Sequence, residues 1–197
     1  MAEKEIEERV MIDKKQFLEI EKYIQENFHN AKTIYQKNRY FDDKDRRIKD
    51  IHNVLRIRSF RGCKQREFTY KVKGTEGDLE YTQLLSHYWF YQITRYSRLP
   101  EGPVKQKLID DGVDISSLKM LVDLFTRRIE VQLSDHLFVL DVNLYNGICD
   151  YNIEVESSVS KKHAKEVILK YCEQFGLEYK EKYISKSRRA FNSLNKN

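Results

Sequence analysis

Six segments of this chain that read as β-strands carry mostly charge on one face and mostly hydrocarbon on the other. Successive strand side chains point to opposite faces, so parity sorts them. In VLRIRS, Arg56 and Arg58 share a face and Leu55 and Ile57 share the other; in TYKVKG, Thr69, Lys71 and Lys73 oppose Tyr70 and Val72. In RRIEVQL, Arg128, Glu130 and Gln132 oppose Ile129, Val131 and Leu133. Asp141 and Asn143 oppose Leu140, Val142 and Leu144, and Asn152, Glu154 and Glu156 oppose Tyr151, Ile153 and Val155. Near the N-terminus, Glu5, Glu7 and Arg9 alternate with Ile6, Glu8 and Val10. A single strand of this kind is ordinary in an antiparallel sheet with one wet face. Repetition across these strands, with mixed signs and few of the Ser, Thr and Gln residues that dilute exposed sheets, asks for another solution.

Amphipathic helices supply it, because they need an apolar surface to pack on. The predicted architecture is α+β: a closed antiparallel β-barrel forming a charged tunnel, apolar faces outward under helices and charged faces inward. Desolvated charges without partners are costly, so such a lumen holds water, ions and a highly charged ligand. The carboxylates Glu5, Glu7, Glu130, Asp141, Glu154 and Glu156 suit a hard divalent cation, Mg²⁺ or Mn²⁺. The cations Arg9, Arg56, Arg58, Lys71, Lys73 and Arg128 suit phosphate oxygens, Arg by its fork and Lys as a point charge. Carboxylates with metal on one wall and Arg and Lys on the other describe a site for a metal-bound polyphosphate.

The elements follow local signals. Residues 4–12 read as a strand, and Asp13 caps a helix through about Phe28 with Phe17, Ile20, Tyr23, Ile24 and Phe28 on one stripe. AKTIYQKNRYFDD reads as a strand and KDRRIKDIHN as a polar connection. VLRIRSFR and EFTYKVKG form a hairpin turned by GCKQ. GDLEYTQLL reads as a short strand, HYWFYQITRY fits a helix or a strand, and GPVKQKLIDDG is a helix closed by Gly112. DISSLKMLV reads as another short helix. DLFTRRIEVQL and HLFVLDVNLYNG flank a tight Ser134–Asp135 connection, and DYNIEVES is the last strand. SKKHAKEVILKYCEQFG is a helix between Ser160 and Gly176, and ISKSRRAFNSL a final short one.

Bulk properties narrow the rest. A length of 197 residues predicts a single domain over 1–197. A net charge of +5, from 36 basic and 31 acidic residues, permits an anionic partner without demanding nucleic acid. No apolar signal region or membrane-length run is present, so no membrane partner is expected and the expected location is the cytoplasm. Cys63, Cys149 and Cys172 lack C-x-x-C spacing and read as reduced thiols. The scattered histidines show no zinc spacing, and there is no P-loop or G-x-G-x-x-G. Trp89 with Tyr88, Phe90 and Tyr91 reads as core, with a base-stacking platform at the tunnel mouth as the alternative.

Taken together, the motifs resemble a known group. Glu5-Ile6-Glu7-Glu8-Arg9 resembles the E-x-E-x-K signature of the CYTH, or triphosphate tunnel metalloenzyme, superfamily. NRYFDD, LRIR, TYKVK, TRR, LDVNLYNG, DYNIEVE and SKSRRAF occur in the order of its small bacterial branch. The resemblance implies a barrel of about eight strands that binds triphosphate and divalent metal. It implies metal ligation by Glu5, Glu7, Asp141, Glu154 and Glu156, with Glu80 a weaker member, and catalytic roles for Glu5, Glu7 and Arg9. It implies phosphate binding by Arg56, Arg58, Lys71, Lys73, Arg128 and Lys186. Arg9 stands where the signature has Lys; it keeps the charge but is no base at neutral pH, which implies slower turnover. Asn152 replaces an expected acid. The expected function is metal-dependent hydrolysis of a small triphosphate substrate, inorganic tripolyphosphate first, with thiamine triphosphate or a nucleotide as further substrates. A class IV-type adenylyl cyclase and a non-catalytic polyphosphate or nucleotide sensor are the alternatives. Nucleic acid is not an expected partner, and a homodimer is left open.

Overall fold

The N-terminal strand does not stay with one neighbour. In the computed structural model, which describes residues 2–75, 77–181 and 183–194, β1 (Glu3–Glu5) pairs antiparallel with β6 (Asp78–Leu85). After Ile6 the same segment continues as β2 (Glu7–Ile12) and pairs with β9 (Ile148–Ser157). Between them run β5 (Arg66–Val72), β4 (Val54–Phe60), β3 (Lys32–Asp42), β7 (Lys119–Gln132) and β8 (His136–Tyr145), in the order β1-β6-β5-β4-β3-β7-β8-β9-β2. Both edges of the sheet therefore end on one stretch of chain, which closes it into a barrel. The Ser157 N–H donates to the Ile6 carbonyl at 2.9 Å and pins the crossing point. Gly77 lies under it: a Cβ there would meet the Glu5 carbonyl at 2.8 Å, and its φ is +132°.

The fold class is the predicted one, with nine strands among the described residues because the N-terminal strand is split at Ile6. The apolar faces point outward under helices. α1 (Lys14–Asn27) starts at Asp13, whose side chain accepts from the Gln16 N–H in a complete capping box. It buries Phe17, Ile20 and Ile24 with Ile129, Val131, Ile153 and Val155 of the barrel, joined by α5 (Lys161–Phe175) through Ala164, Val167 and Ile168. A second core places α3 (His87–Tyr96) and α4 (Pro103–Asp110) on the other side, with Ile93, Val104 and Leu108 against Ile57, Phe68 and Tyr70. A third cluster borders the lumen. Tyr40, Val122, Leu124 and Tyr145 pack with Ala190 of α6 (Lys186–Ser193), and Phe191 and Leu194 lie against them. Arg189 doubles this anchor by donating to Asp150 at 2.8 and 3.0 Å.

Three local readings change. HYWFYQITRY is a helix, and its Tyr88 and Tyr91 are exposed while Trp89 and Phe90 pack against the second core. The polar connection contains α2 (Arg47–Asp50), whose first N–H groups are met by the Asp42 and Asp43 carboxylates at 2.8–3.2 Å. DISSLKMLV is only a 3₁₀ turn at Ile115–Ser117, after which β7 is already running at Lys119. β3 pairs with it from Lys119 to Glu130, through a bulge at Tyr40/Phe41, so ladder bonds outweigh the weak helical pattern there. No helix among the described residues is long and apolar enough to cross a membrane.

Ile20 is 1% exposed in the first core. Ile20→Ala is expected to lower stability by about 2–5 kcal/mol through lost burial and a cavity, read as a shifted urea midpoint with an unchanged slope.

Candidate functional site: a charged cavity inside the barrel

The inward faces line a cavity of about 970 Å³ whose lining carries acidic and basic side chains in equal number. The pairing that closes the barrel sets their positions. In β1 and β6, Glu3 lies opposite Glu80 and Glu5 opposite Asp78; in β2 and β9, Glu7 lies opposite Glu156. Like charges directly across a ladder repel. The seam of this barrel is thus three such acid–acid pairs in succession.

Cations inside the lumen hold the acids together. The Lys71 ammonium bonds Glu5 and lies 3.4 Å from Asp78 and 3.8 Å from both Glu7 and Glu80. Its burial alone would lower its pKa, but Glu7, Glu5 and Glu80 outweigh that and raise it. Arg9, opposite Glu154 in the ladder, bonds Glu154 and reaches Glu7 at 3.1 Å, with the Tyr183 ring 5.3 Å from its guanidinium. Arg128 donates two bonds of 3.0 Å to Asp141, one of 2.7 Å to Glu154 and one of 3.3 Å to Glu156. Lys186 enters from α6, bonds Asp141 and lies 3.0 Å from Glu154. Burial lowers its pKa despite those two carboxylates.

The compensation is incomplete on both walls. Arg58 is pushed down to about 10 by burial and by Arg56 and Arg128 beside it. Glu156 is pushed up to about 7 by burial, with Glu154, Glu5 and Glu7 adding to the shift and Arg128 opposing it. Two buried guanidinium nitrogens, Nη1 of Arg9 and Nε of Arg56, have no partner among the described residues. Buried donors are normally satisfied, so the cationic wall is short of anion oxygens while the acidic wall is short of positive charge. Among the described residues, no three His, Cys, Asp or Glu side chains are arranged to hold a metal ion as they stand.

The structure brings Glu5, Glu7, Arg9, Arg56, Arg58, Lys71, Arg128, Glu154, Glu156 and Lys186 to the cavity. Lys73 lies at its rim, its side chain 61% exposed and 3.1 Å from Asp78. Asp141 is fully buried behind Arg128 and Lys186, which take its oxygens. Glu130 lines the cavity 3.7 Å from Arg128. Sequence reasoning missed Asp78, although its parity with Glu80 repeats the Glu5/Glu7 pattern. It also missed Asn38, which accepts from Arg58 at 3.0 Å. Nothing in the local pattern marks Tyr183. The aromatic residues of α3 lie outside the lining.

Comparisons with known proteins bear on the family and the fold. The family model described as "CYTH domain" matches residues 3–190. The chain is 32% identical over 177 residues to the Bacillus subtilis protein named "Putative triphosphatase YjbK", covering 90% of this chain and 89% of that one. A Bacillus halodurans crystal structure, of "a putative adenylate cyclase", superposes with a TM-score of 0.87 at 29% identity over 96% of this chain and 98% of that one. The Hippeastrum protein HpAC1, described as a "putative adenylyl cyclase" with a dominant triphosphatase activity, shares the fold with a TM-score of 0.78 at 20% identity, over 98% and 96% of the two chains.

Glu156 gives a pH signature. A carboxylic acid whose folded pKa is raised contributes stability below its unfolded pKa, and that contribution is lost as pH rises through the folded value of about 7. Glu156→Gln is therefore expected to melt higher than the parent protein at pH 8, with the difference shrinking toward pH 5. Scanning calorimetry without added metal reads it.

Proposed function

Because this chain belongs to the CYTH domain family, we propose that it hydrolyses a triphosphate-bearing substrate with the help of a divalent cation, inorganic tripolyphosphate first. The observation that carries this reading is the paired charge deficit in one cavity. Burial, with Arg56 and Arg128 adding to it, depresses Arg58, while burial, with Glu154, Glu5 and Glu7 adding to it, raises Glu156. A polyanion with its own cation relieves both at once, and neither a simple anion nor a bare metal does. The 32% identity to a protein named a triphosphatase supports the same reading.

The donor set suits Mg²⁺ or Mn²⁺. The seam offers carboxylate oxygens from Glu5, Glu7 and Glu156, and hard cations prefer oxygen. Glu154 and Asp141 stand behind them and are already satisfied by Arg9, Arg128 and Lys186; they orient those cations. A bound divalent ion would supply charge neutralisation at the phosphate oxygens and an activated water. The chain's own residues do the rest. Arg56 and Arg58, with Nη1 of Arg9, present donors to phosphate oxygens and stabilise charge on the transferred phosphoryl group. Arg9, committed to Glu7 and Glu154, positions carboxylates and does not act as a base.

The cyclase alternative needs an adenine pocket. Of the tyrosines lining the cavity, Tyr183 has the Arg9 guanidinium over its ring and Tyr40 packs on Phe191 at 5.9 Å. Hydrolysis fits that lining better. The binding-only alternative draws on Arg9 in place of the signature Lys.

The deciding experiment offers tripolyphosphate, thiamine triphosphate and ATP with Mg²⁺ or Mn²⁺, scoring phosphate, pyrophosphate and cyclic AMP. Phosphate release that disappears in Glu5→Ala/Glu7→Ala is the expected result, and Arg58→Ala is expected to lose about 10²–10³-fold in kcat. Cyclic AMP with pyrophosphate selects the cyclase. Strong thermal stabilisation by tripolyphosphate plus metal without product selects the sensor.

A further inference from the structure

Lys71 holds an unexpected position for a residue assigned to phosphate. Its ammonium lies inside the acidic seam, bonded to Glu5 and within 3.8 Å of Asp78, Glu7 and Glu80. Its side chain is 14% exposed, so bulk water offers little alternative solvation. The backbone explains how it gets there. Lys71 is directly opposite Glu80 across β5 and β6, and β1 lies on the other side of β6 with Glu5 opposite Asp78. The ladder thus aims one flexible cation at the acid–acid pairs that closure of the barrel creates.

The neighbouring basic residues differ. Arg56 reaches Glu80 at 3.2 Å yet keeps a buried Nε without a partner among the described residues. Arg58 is held by Asn38 at 3.0 Å and has Glu67 only at 3.8 Å. These two already face the space an anion would fill. Among the described residues, Lys71 is the one ammonium bonded to Glu5 and close to Glu7, carboxylates where a divalent ion would be bound; Arg9 also bonds Glu7 and Arg128 reaches Glu156, both through guanidinium groups.

We propose that Lys71 is an exchangeable counter-ion. It neutralises the seam in the empty protein, yields the carboxylates to the metal, and turns its ammonium to the phosphate chain when the two arrive together. The inference rests on the triphosphate-and-metal reading of this cavity but adds a coupling to it. Metal alone has to displace a resident cation with no new partner to receive it. Triphosphate alone has to pull Lys71 away from acids left unneutralised. Together each removes the other's penalty. Two ligands that each take one half of the same ion pair, the metal its carboxylates and the triphosphate its ammonium, bind with positive coupling, and linkage makes the effect reciprocal. A lysine suits this task better than arginine, because its point charge on a flexible stem gives up one geometry for another readily.

Isothermal titration calorimetry on the full chain tests this with Mn²⁺ alone, tripolyphosphate alone, and each in the presence of the other. In the parent protein, tripolyphosphate is expected to tighten Mn²⁺ binding strongly, within or above the roughly 5- to 150-fold range usual for coupled sites. Lys71→Met removes the resident cation. It is expected to bind Mn²⁺ alone at least about tenfold tighter than the parent, and its coupling to tripolyphosphate is expected to fall at least about fivefold. Lys71→Arg keeps the charge and is expected to resemble the parent in Mn²⁺ affinity. Should Lys71→Met be unstable without metal, recovery of its melting transition on Mn²⁺ titration, at lower metal than stabilises the parent, reads the same gain. Equal or weaker Mn²⁺ affinity in Lys71→Met, or no Mn²⁺ binding by any of the three proteins, overturns the exchange. Coupled binding with the predicted variant pattern but no phosphate released leaves the exchange standing and removes hydrolysis.

Discussion

Closing this barrel forces like charges together. The seam between β1/β2 and its two neighbours sets Glu3 against Glu80, Glu5 against Asp78 and Glu7 against Glu156. A sheet selected for stability alone would not put acids opposite acids. The lumen tolerates the arrangement because Lys71, Arg9 and Arg128 insert between the carboxylates. Much else follows from that one constraint: the mixed-sign parity of the strands, the outward direction of the apolar faces, and the need for covering helices.

A network of buried ion pairs is weak evidence for stability, since desolvation offsets much of the Coulombic gain. The two apolar cores outside the barrel carry the fold instead, α1 and α5 on one side and α3 and α4 on the other. This division of labour frees the interior for binding. The lumen can remain electrostatically unresolved, with Arg58 depressed and Glu156 raised, because the helices outside hold the strands. α6 is an exception that joins both roles. Ala190 and Phe191 pack it against Tyr40, Leu124 and Tyr145, and from that anchor Lys186 reaches Asp141 and Glu154 in the wall.

Much of the fold was legible because strand parity is a local property. Arg56 and Arg58, or Glu154 and Glu156, must share a face once the segment is extended, whatever lies beside it. Capping signals were equally local, as Asp13 and Ser160 show. What escaped was decided by partners distant in sequence. α2 exists because Asp42 and Asp43 meet its amides at the end of β3. The extension of β7 back to Lys119 depends on β3 pairing along it. Asp78 joined the acidic seam only when β1 folded beside β6.

By itself, then, the sequence determined which side chains share a face, and with them the inside-out character of the barrel and the chemistry of a lumen rich in carboxylates and guanidinium groups. Only the tertiary structure decided who faces whom. It put Lys71 among acids, committed Arg9 to Glu7 and Glu154, buried Asp141 behind Arg128 and Lys186, and left Lys73 at the rim. The physical reason is that parity follows from one strand's own backbone. Cross-strand register and the reach of a long side chain depend on which strands become neighbours, and here that is settled by the break at Ile6 that closes the barrel.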